Sequence, residues 1–196
     1  MKKIHVLIYM IVLLSVTSCV NLDLNPPSAA SSENWFSSPE EVRISLNDFY
    51  RSTFFVIEEG WTLDRNTDDW AQRTNIYTIA AGSLNASSTS NPNIKTVWSY
   101  TYKNISRANR ILEALDNLEG KYSTTELNTL RAEARFFRAF AYSRLITLWG
   151  DVPFYLSSIT PEEAFEMGRT DKAVVLKQVY DDYDYAAENL QVANNN

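Results

Sequence analysis

Histidine and cysteine are nearly absent: the chain has one of each, His5 and Cys19, and both fall in its first 19 residues. If that stretch is a removable leader, what remains has no imidazole and no thiol. Ser–His and Cys–His nucleophile pairs, Cys/His zinc sites and disulfides are then excluded together. The chemistry left belongs to Asp, Glu, Ser, Thr, Lys, Arg, Tyr and the amides. Glycine is scarce as well, five in 196 residues, beside six prolines. That scarcity favours long helices over a turn-rich sheet protein. Basic charge is in deficit, 18 Lys and Arg against 24 Asp and Glu, for a net charge of −6. Losing Lys2 and Lys3 with the leader leaves 16 against 24, or −8. An acidic surface without a basic cluster argues against nucleic acid as a partner and against anionic headgroups.

What is abundant is aromatic. Eleven Tyr, nine Phe and five Trp make up 13% of the chain. The hydrophobic fraction of 45% is enough for one packed domain.

The N-terminus carries an export pattern. Lys2 and Lys3 form a basic start, followed by an apolar run from Ile4 to Val16. At about 13 residues the run is too short for a spanning helix and fits the core of a signal peptide. It ends in Val16-Thr17-Ser18-Cys19, small residues leading to a cysteine, which resembles the lipobox of bacterial lipoproteins. Residues 1–18 are therefore expected to be a lipoprotein signal peptide, with Cys19 the acylated (palmitate-bearing) new N-terminus. The alternative is an ordinary secretory leader with an incidental cysteine. Several acyl chains anchor stably, since each buried methylene contributes about 0.8 kcal/mol. Residues 19–37, polar and Pro-bearing around Val20–Ser32, read as a tether between lipid and body.

Four helical segments are expected in the body, residues 38–196. The first opens at Ser38-Pro39-Glu40-Glu41, an N-cap, a first-turn proline and two carboxylates at the positive end of the helix dipole. Val42, Leu46, Phe49, Tyr50 and Thr53 carry its stripe to about Ile57. The second runs from about Ile94 to Leu118, with Val97, Thr101, Ile105, Ala108, Leu112 and Leu115 on one face, and Gly120 stops it. The third begins in a capping box, Ser123 to Glu126, and keeps helical spacing through Leu127, Leu130, Ala134, Phe137, Ala141, Leu145 and Leu148. Gly150 and Pro153 end it. The fourth starts near Thr170-Asp171 and carries Val175, Val179, Tyr183, Ala186 and Leu190. Small residues at Ala134, Ala139, Ala141, Ala186 and Ala187 allow close helix approach. The fold class is all-α, with the second and third helices an antiparallel hairpin.

Between the first two helices lies a long polar and aromatic loop, Glu58–Pro92, without a helical stripe. A loop this long in a compact domain is usually functional or disordered, and its Trp61, Trp70 and Tyr77 favour order. Sugars offer apolar C–H faces and rings of hydroxyls, which aromatic faces and Asn, Asp or Arg side chains match. Trp70, Arg73, Asn75 and Tyr77 supply that mixture within a few residues and are the candidate ligand-binding residues. The competing reading has Trp61 and Trp70 simply covering the core. Asp64, Asp68 and Asp69 raise the possibility of a glycosidase carboxylate pair, but their separation, which decides it, is not in the sequence. Asp181-Asp182-x-Asp184 lacks the Gly and terminal Glu of a calcium loop and reads as a charged face. Glu133, Arg135 and Arg138 read as an ion-pair network, and Trp149-Gly150-Asp151-Val152-Pro153 as a helix stop. No metal site, cofactor site or catalytic group is identified.

Three blocks behind the lipobox together resemble a known family. They are Glu33-Asn34-Trp35-Phe36 with Ser-Pro-Glu-Glu and a helix ending in Phe49-Tyr50; Trp98-x3-Tyr102-x2-Ile105-x2-Ala108-Asn109-x2-Leu112; and Glu133-x-Arg135-Phe136-x-Arg138-Ala139-x2-Tyr142-x2-Leu145-x3-Trp149-Gly150-Asp151-Val152-Pro153. In this order they are similar to the N-terminal region of the SusD/RagB family of nutrient-uptake lipoproteins from Bacteroidetes. The resemblance implies TPR-like helix pairs and a non-catalytic protein, anchored at the outer membrane, that captures a glycan or other nutrient. It also implies a SusC-like TonB-dependent transporter as partner. Family members are more than twice this length, so the chain is expected to be a truncated or split form. The alternative is a lipid-anchored helical scaffold that makes protein contacts only.

Overall fold

A computed structural model describes residues 35–51 and 92–190, with side chains from 97 onward in the second stretch. Cys19 and the candidate residues Trp70, Arg73, Asn75 and Tyr77 lie outside the described residues, as do Thr53, Ile57 and the leader. Within these limits the chain is all-helical, and its only strand-like pairing among the described residues is one antiparallel bridge between Val152 and Thr170. We label the helices α1 (Pro39–Arg51), α2 (Pro92–Asn117), α3 (Thr124–Trp149), α4 (Pro161–Glu166) and α5 (Lys172–Asn189).

Helix α1 starts where the proline predicts. The Ser38 hydroxyl accepts from the Glu41 N–H at 3.5 Å, and the Glu41 carboxylate accepts from the Ser37 N–H at 2.6 Å and the Ser37 hydroxyl at 2.9 Å. Those bonds, the backbone one first, hold the Glu41 carboxyl below its usual range. Val42, Leu46 and Phe49 form the buried face of α1.

Helix α3 is the centre of the unit. It packs against α2, α5 and α1. Its buried positions therefore run nearly around the helix, with Ala132, Glu133, Ala139 and Tyr142 joining the expected stripe of Leu127, Leu130, Ala134, Phe137, Ala141 and Leu145. A helix covered on several sides loses its single apolar stripe. Asn109 meeting Arg138, while Arg131 meets Asp116 and Glu119 of α2 and the turn after it, shows α2 and α3 antiparallel. Asp182 meeting Arg138, and Asn189 meeting Thr129, shows the same for α3 and α5. This is the layering of TPR-like helix pairs.

One expectation at a helix end is revised, and one unexpected helix is added. Ser123 is the N-cap of α3, but its side chain makes no cap bond, so the capping box with Glu126 does not form. Both side chains are exposed there, where water competes for the same donors. A reciprocal box forms instead at Thr160 and Glu163, with bonds of 3.2 and 2.8 Å, opening the six-residue α4. That helix has no buried residue, hence no apolar period to announce it in the sequence.

Candidate functional site

The ends of the segment carrying Trp70, Arg73, Asn75 and Tyr77 are set by described residues. At the α1 end, Phe49 stacks on Phe137 of α3 with ring centroids 4.4 Å apart and planes 10° from parallel. Tyr50 meets the same ring edge-on at 5.1 Å and donates its hydroxyl to Glu133 Oε1 at 3.0 Å. Glu133, buried in α3, also accepts from Arg43 of α1, so its charge is compensated. Asp48 pairs with Arg107 of α2 at 2.8 Å. Burial, with the Glu133 charge second, raises the Tyr50 phenol above its ordinary range. At the α2 end, Trp98 meets Trp149 edge-on at 5.1 Å and lies 4.8 Å from Tyr102. Phe137 and Trp149 are twelve positions apart on α3, so the two anchor points lie roughly 18 Å apart along its axis.

The chain beyond α3 is strapped down over that upper end. Gly150 closes the helix with φ of 71° and ψ of −116°, and its N–H reaches back to the Ile146 carbonyl at 3.1 Å. The Tyr102 hydroxyl donates to the Pro153 carbonyl at 2.8 Å. The Tyr142 hydroxyl donates to the Tyr155 carbonyl at 2.7 Å and accepts from the Tyr155 N–H at 3.0 Å. Asn109 Nδ2 donates to the carbonyls of Tyr155 and Ser157, at 3.3 and 3.2 Å. Glu113 accepts from the Ser158 N–H and hydroxyl at 2.5 and 2.6 Å. Side chains thus satisfy an irregular segment whose one strand-like backbone pairing among the described residues is the Val152–Thr170 bridge. Burial raises the phenols of Tyr102, Tyr142 and Tyr155, which stay protonated and able to donate.

Beneath the strap sits a buried ion pair. Arg138 Nε and Nη2 donate to the two oxygens of Asp182 at 2.7 and 2.9 Å, while Nη1 donates to Asn109 Oδ1 at 3.0 Å. Gln178 adds a bond to Asp182 at 3.1 Å, and Arg135 lies 3.9 Å from the carboxylate with its guanidinium 4.1 Å above the Tyr185 ring. The ion pairs expected at Glu133, Arg135 and Arg138 exist as two separate interhelical sets, Glu133 with Arg43 and the two arginines with Asp182. Asp182 corrects the charged-face reading: it is only 1% exposed. Asp181 and Asp184, by contrast, do face solvent. Glu133 and Asp182 both spend their charge on neighbouring helices, which makes them devices for holding layers together.

The geometry is that of a rigid helical frame with an aromatic upper end. A model of a family described as starch-binding and associating with the outer membrane matches residues 22–194. The chain belongs to the SusD-like family. SusD-like protein P25 of Formosa agariphila is 28% identical to this SusD-like chain over 97% of the chain and 38% of P25, and protein P2 of the same organism is 23% identical over 96% and 38%. The chain thus spans about two fifths of the length of these curated relatives. Among solved structures, a SusD homolog from Bacteroides thetaiotaomicron superposes with a TM-score of 0.70 at 24% identity, over 86% of this chain and 34% of that one. A SusD-like carbohydrate-binding protein from Bacteroides fragilis gives 0.64 at 24% identity, over 82% and 33%. A structure solved with xylogluco-oligosaccharide gives 0.54 at 20% identity, over 78% and 30%. At these identities the structural likenesses speak for the fold.

Proposed function

We propose that this chain is the N-terminal helical part of a cell-surface lipoprotein that captures a glycan or related nutrient and passes it to a SusC-like TonB-dependent outer-membrane transporter. The observation that carries the reading is the family match across residues 22–194. Cys19 would bear the lipid that anchors it. Trp70, Arg73, Asn75 and Tyr77, in the segment between α1 and α2, would make the ligand contacts, the aromatics stacking on sugar faces and the polar side chains pairing with hydroxyls. The protein would bind and hand over its ligand without breaking a bond. The relatives' names support carbohydrate as the ligand class, one of them described as carbohydrate-binding and another solved with an oligosaccharide.

The test is affinity electrophoresis and calorimetry of the full chain against a panel of neutral and acidic polysaccharides. Saturable binding is expected, weakened roughly tenfold or more by Trp70→Ala, the size of effect a lost aromatic stacking contact produces. Binding untouched by that substitution would remove Trp70 from the site. The alternative, a lipid-anchored scaffold making protein contacts only, predicts no glycan affinity from this chain. Steady release of reducing sugar would contradict a purely binding role.

A further inference from the structure

Three consecutive carbonyls of the strap, those of Tyr155, Leu156 and Ser157, are met by two side chains that are bonded to each other. Asn109 of α2 donates to the first and third, and Arg138 of α3 reaches the second through Nη1 at 3.5 Å. The chemistry of this pair fixes which way the amide lies. Arg138 can only donate, so the oxygen of Asn109 must face it and both amide hydrogens must face the strap. An amide turned over would set its oxygen against carbonyls and its NH2 against the guanidinium, and all of its bonds would be lost.

Arg138 is aimed in its turn by α5. Asp182 takes Nε and Nη2 in a two-bond fork, which sets the plane of the guanidinium and leaves Nη1 directed at Asn109. Gln178 steadies that carboxylate from within α5. Asn109, Arg138 and Asp182 are all buried, so water offers no substitute for any of these bonds. The residues leading into α5 grip the other end of the strap. Val152 bridges to Thr170, and the Lys172 N–H donates to Asp151 Oδ1 at 3.0 Å. Beyond the strap, the Tyr155 ring stacks on Tyr102 at 6.2 Å, and Tyr102 lies against Trp98.

We infer that Asp182 is a positioning residue for the strap: through Arg138 and Asn109 it sets the carbonyls of Tyr155, Leu156 and Ser157, so that α5 and the strap are held or released together. No bond joins Asp182 to Asn109, and Arg138 is the link between them. A loosened α5 is thereby felt at the aromatic rings that frame the start of α2. Each bond in such a relay orients the next, so its members act as a unit, and a double-mutant cycle tells a unit from independent contacts.

The test is hydrogen exchange of the full chain in a non-ionic detergent, read at the Tyr155 and Ser158 amides, which are held by Tyr142 and Glu113 and not by the relay itself. Asp182→Asn should speed both about tenfold or more. A substitution that only lowered overall stability would move core amides such as Leu115 and Leu130 and leave the local opening of the strap untouched. Asn109→Leu should act like Asp182→Asn, and the two together should speed exchange no more than the larger alone. Tyr102→Phe, which frees the Pro153 carbonyl outside the relay, should instead multiply with Asp182→Asn. Should Asp182→Asn fail to fold, Gln178→Ala is read in its place, with a smaller effect in the same direction. Strap amides unmoved by the substitution in α5 overturn the inference, as does an Asp182 and Asn109 pair whose effects multiply.

Discussion

Arg138 carries its charge into a layer that excludes water, and it does so because Asp182, one helix away, offers both carboxylate oxygens. Arg138 is 5% exposed and Asp182 1%. The pair's net contribution to stability is small in general, because desolvation offsets attraction, but removing one partner strands the other. Arg138→Met is therefore expected to cost about 3–5 kcal/mol in urea unfolding at neutral pH. Arg138→Met with Asp182→Leu should recover most of that loss. If the double variant is less stable than the single, the carboxylate is not the stranded group and this account of the layer fails. The spacing of Asp182 with Val175, Val179 and Ala186 was readable as part of the buried stripe. Its charge, and two acidic neighbours, pointed the other way.

At the scale of one element, the stop at Gly150 shows how a helix end is specified by backbone conformation. A Cβ built on Gly150 would touch nothing within 4 Å, so space does not demand glycine there. The φ of 71° with ψ of −116° does, since side-chain-bearing residues avoid that region. Gly150→Ala should lower stability by about 1–3 kcal/mol, measured by thermal or urea unfolding. Gly168 also has open space and has no positive φ, so Gly168→Ala serves as control and should be neutral or slightly stabilising. Equal effects at the two positions would refute the backbone explanation. The stop was legible because Gly and Pro act locally. The failed cap at Ser123 was not, because a capping box is a permitted arrangement that exposed side chains are free to leave.

Across the whole molecule, the strap over the α2–α3 hairpin depends on phenols that must remain protonated. Tyr102, Tyr142 and Tyr155 all have their ionisation raised above the ordinary value of 10.0, chiefly by burial. The unfolded chain loses these protons first as pH rises, so their contribution is complete below pH 10 and declines as pH climbs from there toward the folded-state values. Alkaline titration should therefore show a class of tyrosines whose phenolate absorbance grows only as helical circular dichroism is lost. Ionisation of every tyrosine before any loss of helix would contradict the burial of the strap.

The sequence alone determined four of the five described helices, their order and their apolar stripes, because these depend on periods and end signals within a dozen or so neighbouring residues; the short α4, without a buried face, escaped it. It also carried the family, since the Trp98–Leu112 block keeps its spacing along α2 and the Glu133–Pro153 block along α3 and its stop. The tertiary structure decided which charges are interior and which aromatic rings meet: Arg138 with Asp182, Arg43 and Tyr50 with Glu133, Trp98 with Trp149. Those pairings join residues far apart in the chain, and no local pattern encodes them. The reason is physical. A carboxylate looks the same in sequence whether it faces water or a guanidinium, and only the packing of α3 between its neighbours sets the difference.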